Sequence, residues 1–384
     1  MYLKPFNILI KPVSGNCNLS CEYCYYLNKP HDRNSSTKMS TTVLRALIKK
    51  YLSEHPGHEV YFIWQGGEPL LAGLSFFEEV IEYQQDFNIK NKVIKNIIQT
   101  NATLINNKWA SFLKNNNFLV GVSLDGPEHI HNIYRKNNLH AGSFNSVLRG
   151  VRKLQDFCVD INILCTVNNI NCLYPDEVYN FFVMDIGIKN IQFIPVIETS
   201  KSLGPSVFKI EEKPVSDIYP FSISPQGYSY FINRVFDIWS ERDYGSIFIQ
   251  LFENVFSVYY GVPATLCVMC QDCGNNLIVE NNGDIYCCDH FVYHNFRLGN
   301  ICSLSFKDIV NSKKNLLFST IKTQLPDRCR ACKFISFCFG GCPKHRITKE
   351  NNGVTNYLCS AYIDIFAHIT DYISTLEPYH YQRK

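Results

Sequence analysis

Six short runs of β-branched and aromatic residues recur through the first half of the chain, each followed by a stretch with helical spacing. FNILI (6–10), VYFIW (60–64), NIIQT (96–100), FLVGVSL (118–124), INILCTV (161–167) and IQFIPVI (191–197) predict strands. Several are apolar nearly throughout, the pattern of parallel strands buried on both faces. Between them, STTVLRALIKKYL opens on a good N-cap at Ser40 and repeats apolar residues at Val43, Leu47 and Leu52. SFFEEVIEYQQDF, NKWASFLKNN, SFNSVLRGVRKLQDF and PDEVYNFFVMDI continue the alternation. Six βα units predict an α/β fold, a partial (β/α)6 TIM-like barrel, with its chemistry where the C-terminal ends of the strands feed into loops.

A linker-like stretch over 198–216 breaks the pattern, and beyond FINRVFDIWSERDY the chain becomes dense in cysteine. The expected organisation is a barrel over 1–240 and a small cysteine-rich domain over 241–384. Cysteine is the anomaly of the composition, at 17 residues. The N-terminal MYLKPFNILIKPVSG lacks a charged segment followed by an apolar one, so export is not expected. No apolar run approaches the roughly 18 residues of a membrane span. In a reducing cytoplasm, thiols in such number point to metal sites or catalysis before disulfides. The formal charge of +3 gives no reason to invoke nucleic acid or an acidic membrane surface.

Cys17-Asn-Leu-Ser-Cys21-Glu-Tyr-Cys24 directly follows the first predicted strand. Three thiolates at this spacing can hold three irons of a [4Fe–4S] cube and leave the fourth open to a ligand. Zinc would ask for a fourth Cys or His in paired spacing, and none is adjacent. The motif resembles that of the radical S-adenosylmethionine enzymes. The resemblance implies that the amine and carboxylate of S-adenosylmethionine chelate the open iron, and that a deoxyadenosyl radical then abstracts a substrate hydrogen. Trp64-Gln65-Gly66-Gly67-Glu68-Pro69 resembles the GGEP element of that family, one βα unit later. Gln99-Thr100-Asn101 and Ser123-Leu124-Asp125-Gly126 end the third and fourth strands, with Tyr134-Arg135 downstream. By resemblance, Tyr23, Gly67, Ser123, Arg135 and Val196 line the cofactor site. Arg135 also recommends itself chemically, because its fork suits a carboxylate.

The second cysteine field contains Cys267-x5-Cys273 and Cys288, then Cys329-x2-Cys332-x5-Cys338-x3-Cys342, with Cys359 trailing. By spacing alone, Cys329, Cys332, Cys338 and Cys342 also suit a four-cysteine zinc site. The field looks like the SPASM domain that follows the barrel in some radical enzymes, and that resemblance crosses the ligands over. Cys267, Cys273, Cys288 and Cys342 would hold one auxiliary [4Fe–4S] cluster, and Cys329, Cys332, Cys338 and Cys359 a second, making three clusters in all. Cys270 and Cys287 remain alternative ligands. Cys158, Cys165, Cys172 and Cys302 fit buried structural thiols.

Within this group, KPVSGNCNLSCEYCYYL, WQGGEPLLAG, FLVGVSLDGPEHIHNIYR, QFIPVIE, CGNNLIVENNGDIYCCDHFVY and CFGGCPKHR are similar to the anaerobic sulfatase-maturating enzymes. Two departures concern loop shape: Ala102 stands where a Gly is common, and 136–142 lacks a Gly-rich pattern. The resemblance implies oxidation of a Cys or Ser side chain of an unfolded or nascent sulfatase to Cα-formylglycine. An external donor such as flavodoxin or ferredoxin would supply electrons. Asp289, beside Cys288, matches the general base of the family; a carboxylate there would run with a raised pKa. Fully cysteine-ligated auxiliary clusters cannot bind substrate directly, which favours electron transfer for them. The alternatives are a SPASM enzyme that modifies a ribosomally made peptide, and a non-catalytic iron–sulfur or zinc protein.

Overall fold

The computed structural model describes residues 4–29, 37–200 and 217–380, so most of the linker-like stretch 198–216 lies outside the described residues. All six predicted strands form: β1 (Asn7–Ile10), β2 (Glu59–Trp64), β3 (Val93–Thr100), β4 (Leu119–Ser123), β5 (Asp160–Val167) and β6 (Asn190–Pro195). They pair in chain order and in parallel. The crossovers carry α1 (Thr41–Glu54), α2 (Leu74–Phe87), α3 (Asn107–Asn115), α4 (Glu128–Tyr134), α5 (Phe144–Asp156) and α6 (Pro175–Asn180). Ser40 caps α1 as expected, its side chain accepting from the Val43 amide. The short α4 is absent from the sequence expectation, as only seven residues offer too little periodicity.

The sheet continues past the sixth strand. β7 (Phe248–Ile249) joins β6 in parallel, and at the opposite edge β8 (Asn276–Val279) pairs in parallel with β1. β9 (Asp284–Tyr286) and β10 (Arg297–Asn300) then extend it antiparallel, giving the order β10-β9-β8-β1-β2-β3-β4-β5-β6-β7. A separate hairpin is formed by β11 (Arg346–Glu350) and β12 (Gly353–Asn356). Residue 240 falls within the π-turn Trp239–Asp243 that prolongs α7 (Pro225–Ile238), and α8 (Gln250–Tyr259) follows. One apolar core runs from Phe6, just before β1, to Ile365, Phe366, Ile369 and Ile373 of the last helix, Cys359–His380.

The strands are not buried equally on both faces, as the apolar runs suggested. Phe62 and Trp64 lie under α1 and α2, with Tyr51–Phe62 centroids at 5.0 Å and Trp64–Phe77 at 5.5 Å. Gln99, Ser123 and Gln192 instead open on an interior cavity. These three polar residues within apolar runs face the lumen, which is lined rather than filled, whereas Asn96 turns to the helix side and bonds Trp64 and Gln84.

The end of β3 is held against α5 by close backbone contact. A Cβ on Gly150 would stand 2.1 Å from the Ala102 carbonyl oxygen, so only glycine lets the helix approach. Gly150→Ala is expected to destabilise the fold by about 1–3 kcal/mol, the usual cost of overpacking, measured as a lowered Tm. An unchanged Tm would contradict this packing.

Candidate functional site

The loop after β1 carries the first three cysteines, and its path is set by contact with the end of β2. Gly67 has φ +48°, and a Cβ there would stand 2.0 Å from the Asn16 carbonyl oxygen. The glycine is needed because the cysteine loop lies directly on it. Glu68 then ties two strand ends together: its carboxylate accepts from the Leu70 amide at 3.0 Å, Thr100 Oγ1 at 2.8 Å and the Asn101 amide at 2.7 Å. Burial pushes the Glu68 carboxyl up to about 7 against the pull of those donors. Ala102, where a glycine was expected, adopts φ +59° and so keeps the left-handed turn at some cost in strain. The 136–142 loop closes without glycine at its tip: Asn137 Oδ1 accepts from the amides of Leu139 and Ala141, at 2.9 and 3.0 Å.

Cys17, Cys21 and Cys24 share the wall of one cavity of about 440 Å³ with Tyr23, Gly67, Ser123, Arg135 and Val196. All five residues expected around a cofactor are thus brought together with the three thiols. Burial, the Glu68 carboxylate, and Cys21 and Cys24 push the Cys17 thiol up to about 12. Thiols crowded this way ionise only when positive charge arrives, and iron supplies it. The donor set therefore fits a cluster.

Arg135 differs from expectation. Its fork is spent on Asp125, with Nε at 2.8 Å from Oδ2 and Nη2 at 3.1 Å from Oδ1. Asp125 also accepts from the Thr166 amide at 3.0 Å and from the Tyr23 hydroxyl. Arg135 thus presents a cavity wall rather than an open fork. His131 braces the pair from behind: its Nδ1 accepts from the Asp125 amide at 3.4 Å, and its Nε2 is 3.0 Å from Ser143 Oγ. Ser143 in turn donates to the Arg135 carbonyl at 2.8 Å. Burial lowers the His131 pKa to about 3, so the ring is neutral. Asp125 was within reach of sequence reasoning, because it sits in the Ser123–Gly126 segment; nothing there revealed its partner.

Asp289 lies beside the cavity and joins the two cysteine regions. Its carboxylate takes Lys11, Tyr25 Oη at 2.6 Å, Gln65 Nε2 at 3.1 Å and Tyr26 Oη at 3.3 Å. Lys29 Nζ adds bonds to the carbonyls of Asp289 (2.8 Å) and His290 (2.7 Å). The expected raised pKa is reversed. Burial alone would raise this carboxyl, but Lys11 and Lys29, with bonds from Lys11 and Tyr25, hold it well below the usual carboxylate range. Lys11, Tyr25, Gln65 and Lys29 had no assigned role from sequence. Tyr25 and Gln65 adjoin recognised motifs, and Lys11 is a charge ending an apolar strand.

The second cysteine field separates into two sets. Cys288 is acted on by Cys342, Cys267 and Cys273, and all four are pushed up by burial first. Cys267 and Cys342 also open on the main cavity. Cys329, Cys332, Cys338 and Cys359 line a second, apolar cavity of about 220 Å³. Among the described residues, no three His, Cys, Asp or Glu side chains converge on a single metal ion. A lone zinc needs sulfurs at about 2.3 Å from one centre, whereas a cube spreads its thiolates over four irons. Cys342 sits with Cys267, Cys273 and Cys288 and so parts from the quartet that spacing alone offered to zinc.

Cys270 turns its thiol to the carbonyls of Ala264 (3.3 Å) and Leu266 (3.5 Å). Cys287 is buried among Phe291, Phe296, Phe318 and Ile321. Cys165 and Cys172 are buried as expected, but Cys158 and Cys302 are exposed. Cys158 sits at φ +54° just past the end of α5, where the chain turns at the surface.

Comparison with known proteins agrees with this geometry. The Radical SAM superfamily matches residues 12–175, and the SPASM iron–sulfur cluster-binding domain matches residues 267–333. The serine-type anaerobic sulfatase-maturating enzyme of Bacteroides thetaiotaomicron is 37% identical over 383 residues, covering 98% of this chain and 92% of that protein. The cysteine-type enzyme of Clostridium perfringens is 36% identical, covering 95% and 96%. The structure of native anSMEcpe with bound AdoMet and Cp18Cys peptide superposes with a TM-score of 0.86 at 33% identity, covering 97% and 99%.

Two expectations follow from the Asp125 cluster. Asp125→Asn leaves the Arg135 guanidinium buried without its anion and should cost about 3–5 kcal/mol in chemical unfolding; a loss below about 1 kcal/mol would mean that the pair is not structural. Between pH 6.5 and about 3 the unfolded chain binds a proton that folded His131 refuses, so stability falls with pH across that window. His131→Gln should flatten the measured slope there by up to about 1.4 kcal/mol per pH unit.

Proposed function

The chain belongs to the anaerobic sulfatase-maturating enzymes, a radical S-adenosylmethionine family with a C-terminal SPASM domain, and on that premise we propose that it oxidises a Cys or Ser side chain of a sulfatase to Cα-formylglycine. One observation carries the reading: a single cavity gathers the three-cysteine loop, the Asp125–Arg135 wall and two cysteines of the neighbouring set. The serine-type and cysteine-type relatives match almost equally, at 37% and 36% identity, so the reading covers either target residue.

Cys17, Cys21 and Cys24 would hold the cluster with an open iron, and Tyr23, Gly67, Ser123, Arg135 and Val196 would surround the S-adenosylmethionine. Bound together, cluster and cofactor supply a one-electron hydrogen abstraction. The residues of the chain do the rest. The Gly67 backbone and the Glu68 web hold the cysteine loop at the strand ends, so the reacting groups meet in a set register. Asp125 keeps Arg135 and Tyr23 from turning, which gives the lumen a rigid wall.

Asp289 is read as the proton acceptor. Lys11 keeps it ionised, so it is ready to accept throughout the working pH range. It is a weak base, which suits a hydroxyl or thiol proton made acidic once the neighbouring carbon has lost a hydrogen atom. Tyr25 and Gln65 aim the carboxylate. Cys267, Cys273, Cys288 and Cys342 would hold an auxiliary cluster that would supply an acceptor for the substrate's electron beside the cavity that Cys267 and Cys342 touch. Cys329, Cys332, Cys338 and Cys359 would hold a second cluster, which would supply a path onward for that electron. The substrate is an unfolded or nascent sulfatase segment, and a small donor such as flavodoxin or ferredoxin supplies the activating electron. The 17 free thiols suit a reducing cytoplasm. No described helix is long and apolar enough to cross a membrane.

The test is anaerobic reconstitution followed by incubation with S-adenosylmethionine, a reductant and a sulfatase-motif peptide bearing Cys or Ser. About twelve irons per chain, deoxyadenosine and a peptide aldehyde by mass spectrometry are expected. Deoxyadenosine with no aldehyde on either peptide would defeat the reading. In the same assay Asp289→Asn should still form deoxyadenosine while aldehyde falls by about 10²-fold or more. Equal loss of both products would remove Asp289 from the proton-transfer role.

A further inference from the structure

Two cations lie under the second cysteine field in surroundings that carbonyl groups only partly neutralise. Lys322 and Arg346 are each 1% exposed. Lys322 Nζ donates to the carbonyls of Cys267 at 2.8 Å and Val268 at 3.0 Å, so it holds the short turn that carries Cys267. Arg346 distributes its guanidinium over the carbonyls of Gly340, Ile321, Gln324, Lys322 and Phe339, at 2.7–3.4 Å. The acidic side chains that bear on them are thiols. For Lys322 these are Cys273, Cys267, Cys342 and Cys270. For Arg346 they are Cys329, Cys273, Cys342 and Cys338, drawn from both cysteine sets. A buried cation served only by dipoles is expensive, and the expense disappears when an anion is placed beside it. A four-thiolate cube carries net negative charge, more so when reduced.

We propose that Lys322 and Arg346 are the built-in countercharge of the two auxiliary clusters, and that they raise the reduction potential of the cluster nearer the cavity so that it accepts the substrate's electron. The proposal rests on the reading above. In the step concerned, the target carbon has already lost a hydrogen atom. One electron then leaves it for the Cys267 set, the thiol or hydroxyl proton goes to Asp289, and the carbon–heteroatom bond becomes double. The substrate is oxidised and the cluster is reduced by one electron. A positive charge fixed beside the cluster favours the reduced, more negative form. Arg346, within range of both sets, favours onward passage without a change of geometry. Both are positioning residues in this scheme, acting through the clusters.

The experiment uses the full chain with Cys17, Cys21 and Cys24 replaced by Ala, so that only auxiliary iron is counted and titrated. Lys322→Gln keeps donors for both carbonyls and removes the charge, whereas Lys322→Arg keeps the charge. In redox titrations followed by electron paramagnetic resonance, Lys322→Gln should hold full auxiliary iron. Its reduced-to-oxidised ratio at a fixed potential should fall at least tenfold, which is about 59 mV for one electron. Lys322→Arg should match the Lys322 protein. Iron lost from Lys322→Gln but kept by Lys322→Arg supports the countercharge equally. Full iron with an unmoved potential in Lys322→Gln, equal shifts in both variants, or iron lost from both would overturn the proposal. A Lys322 protein that takes up no auxiliary iron would instead overturn the reading of the cysteine sets on which the proposal rests.

Discussion

The pairing of Lys11 with Asp289 is the constraint on which the rest of this site depends. Lys11 is the first residue after β1, the strand that pairs with β2 on one side and with β8 on the other. Its side chain is wholly buried, and its ammonium meets the carboxylate beside Cys288. Neither charge is tolerable alone in that position, so each half of the chain completes the other. The pair fixes the cysteine loop after β1 against the second cysteine field. It also sets the ionisation of Asp289, and therefore which proton chemistry is open to it.

Two other buried carboxylates do comparable work by different means. Glu68 is surrounded by neutral donors from Leu70, Thr100 and Asn101, and clamps the ends of β2 and β3. Asp125 meets a guanidinium and clamps β4 to Arg135 and to the Thr166 amide on β5. Burial raises the pKa of the first, whose bonding partners are neutral donors, while Lys11 and Lys29 reverse that effect at Asp289. Placing such groups at strand ends lets an open parallel sheet keep an interior cavity without losing its shape. The cysteine sets extend the same logic with the signs exchanged, since there the fixed charges are the cations and the anions arrive with the metal.

The alternation of six apolar strands with amphipathic helices was legible in the sequence because burial under α1 and α2 leaves a period that the chain itself displays. The three-cysteine loop and the eight cysteines of the second field were equally legible, since thiol spacing within a loop is local. Resemblance supplied the crossed ligand sets. Spacing could not express the division seen in the fold: Cys342 bears on Cys288 together with Cys267 and Cys273, while its sequence neighbour Cys338 is grouped with Cys329, Cys332 and Cys359. The same limit explains Arg135, whose fork suits a ligand carboxylate in isolation and is taken by Asp125 once the chain is folded.

By itself, then, the sequence determined the six βα units, the metal-binding chemistry and the family to which the chain belongs. These rest on local periodicity and on short motifs, which do not depend on what packs against them. Only the tertiary structure decided the ionisation of Asp289, the occupation of Arg135 and the placing of Lys11, Lys322 and Arg346. Each of these depends on charges and burial contributed by residues tens to hundreds of positions away. No local pattern encodes the distance between them.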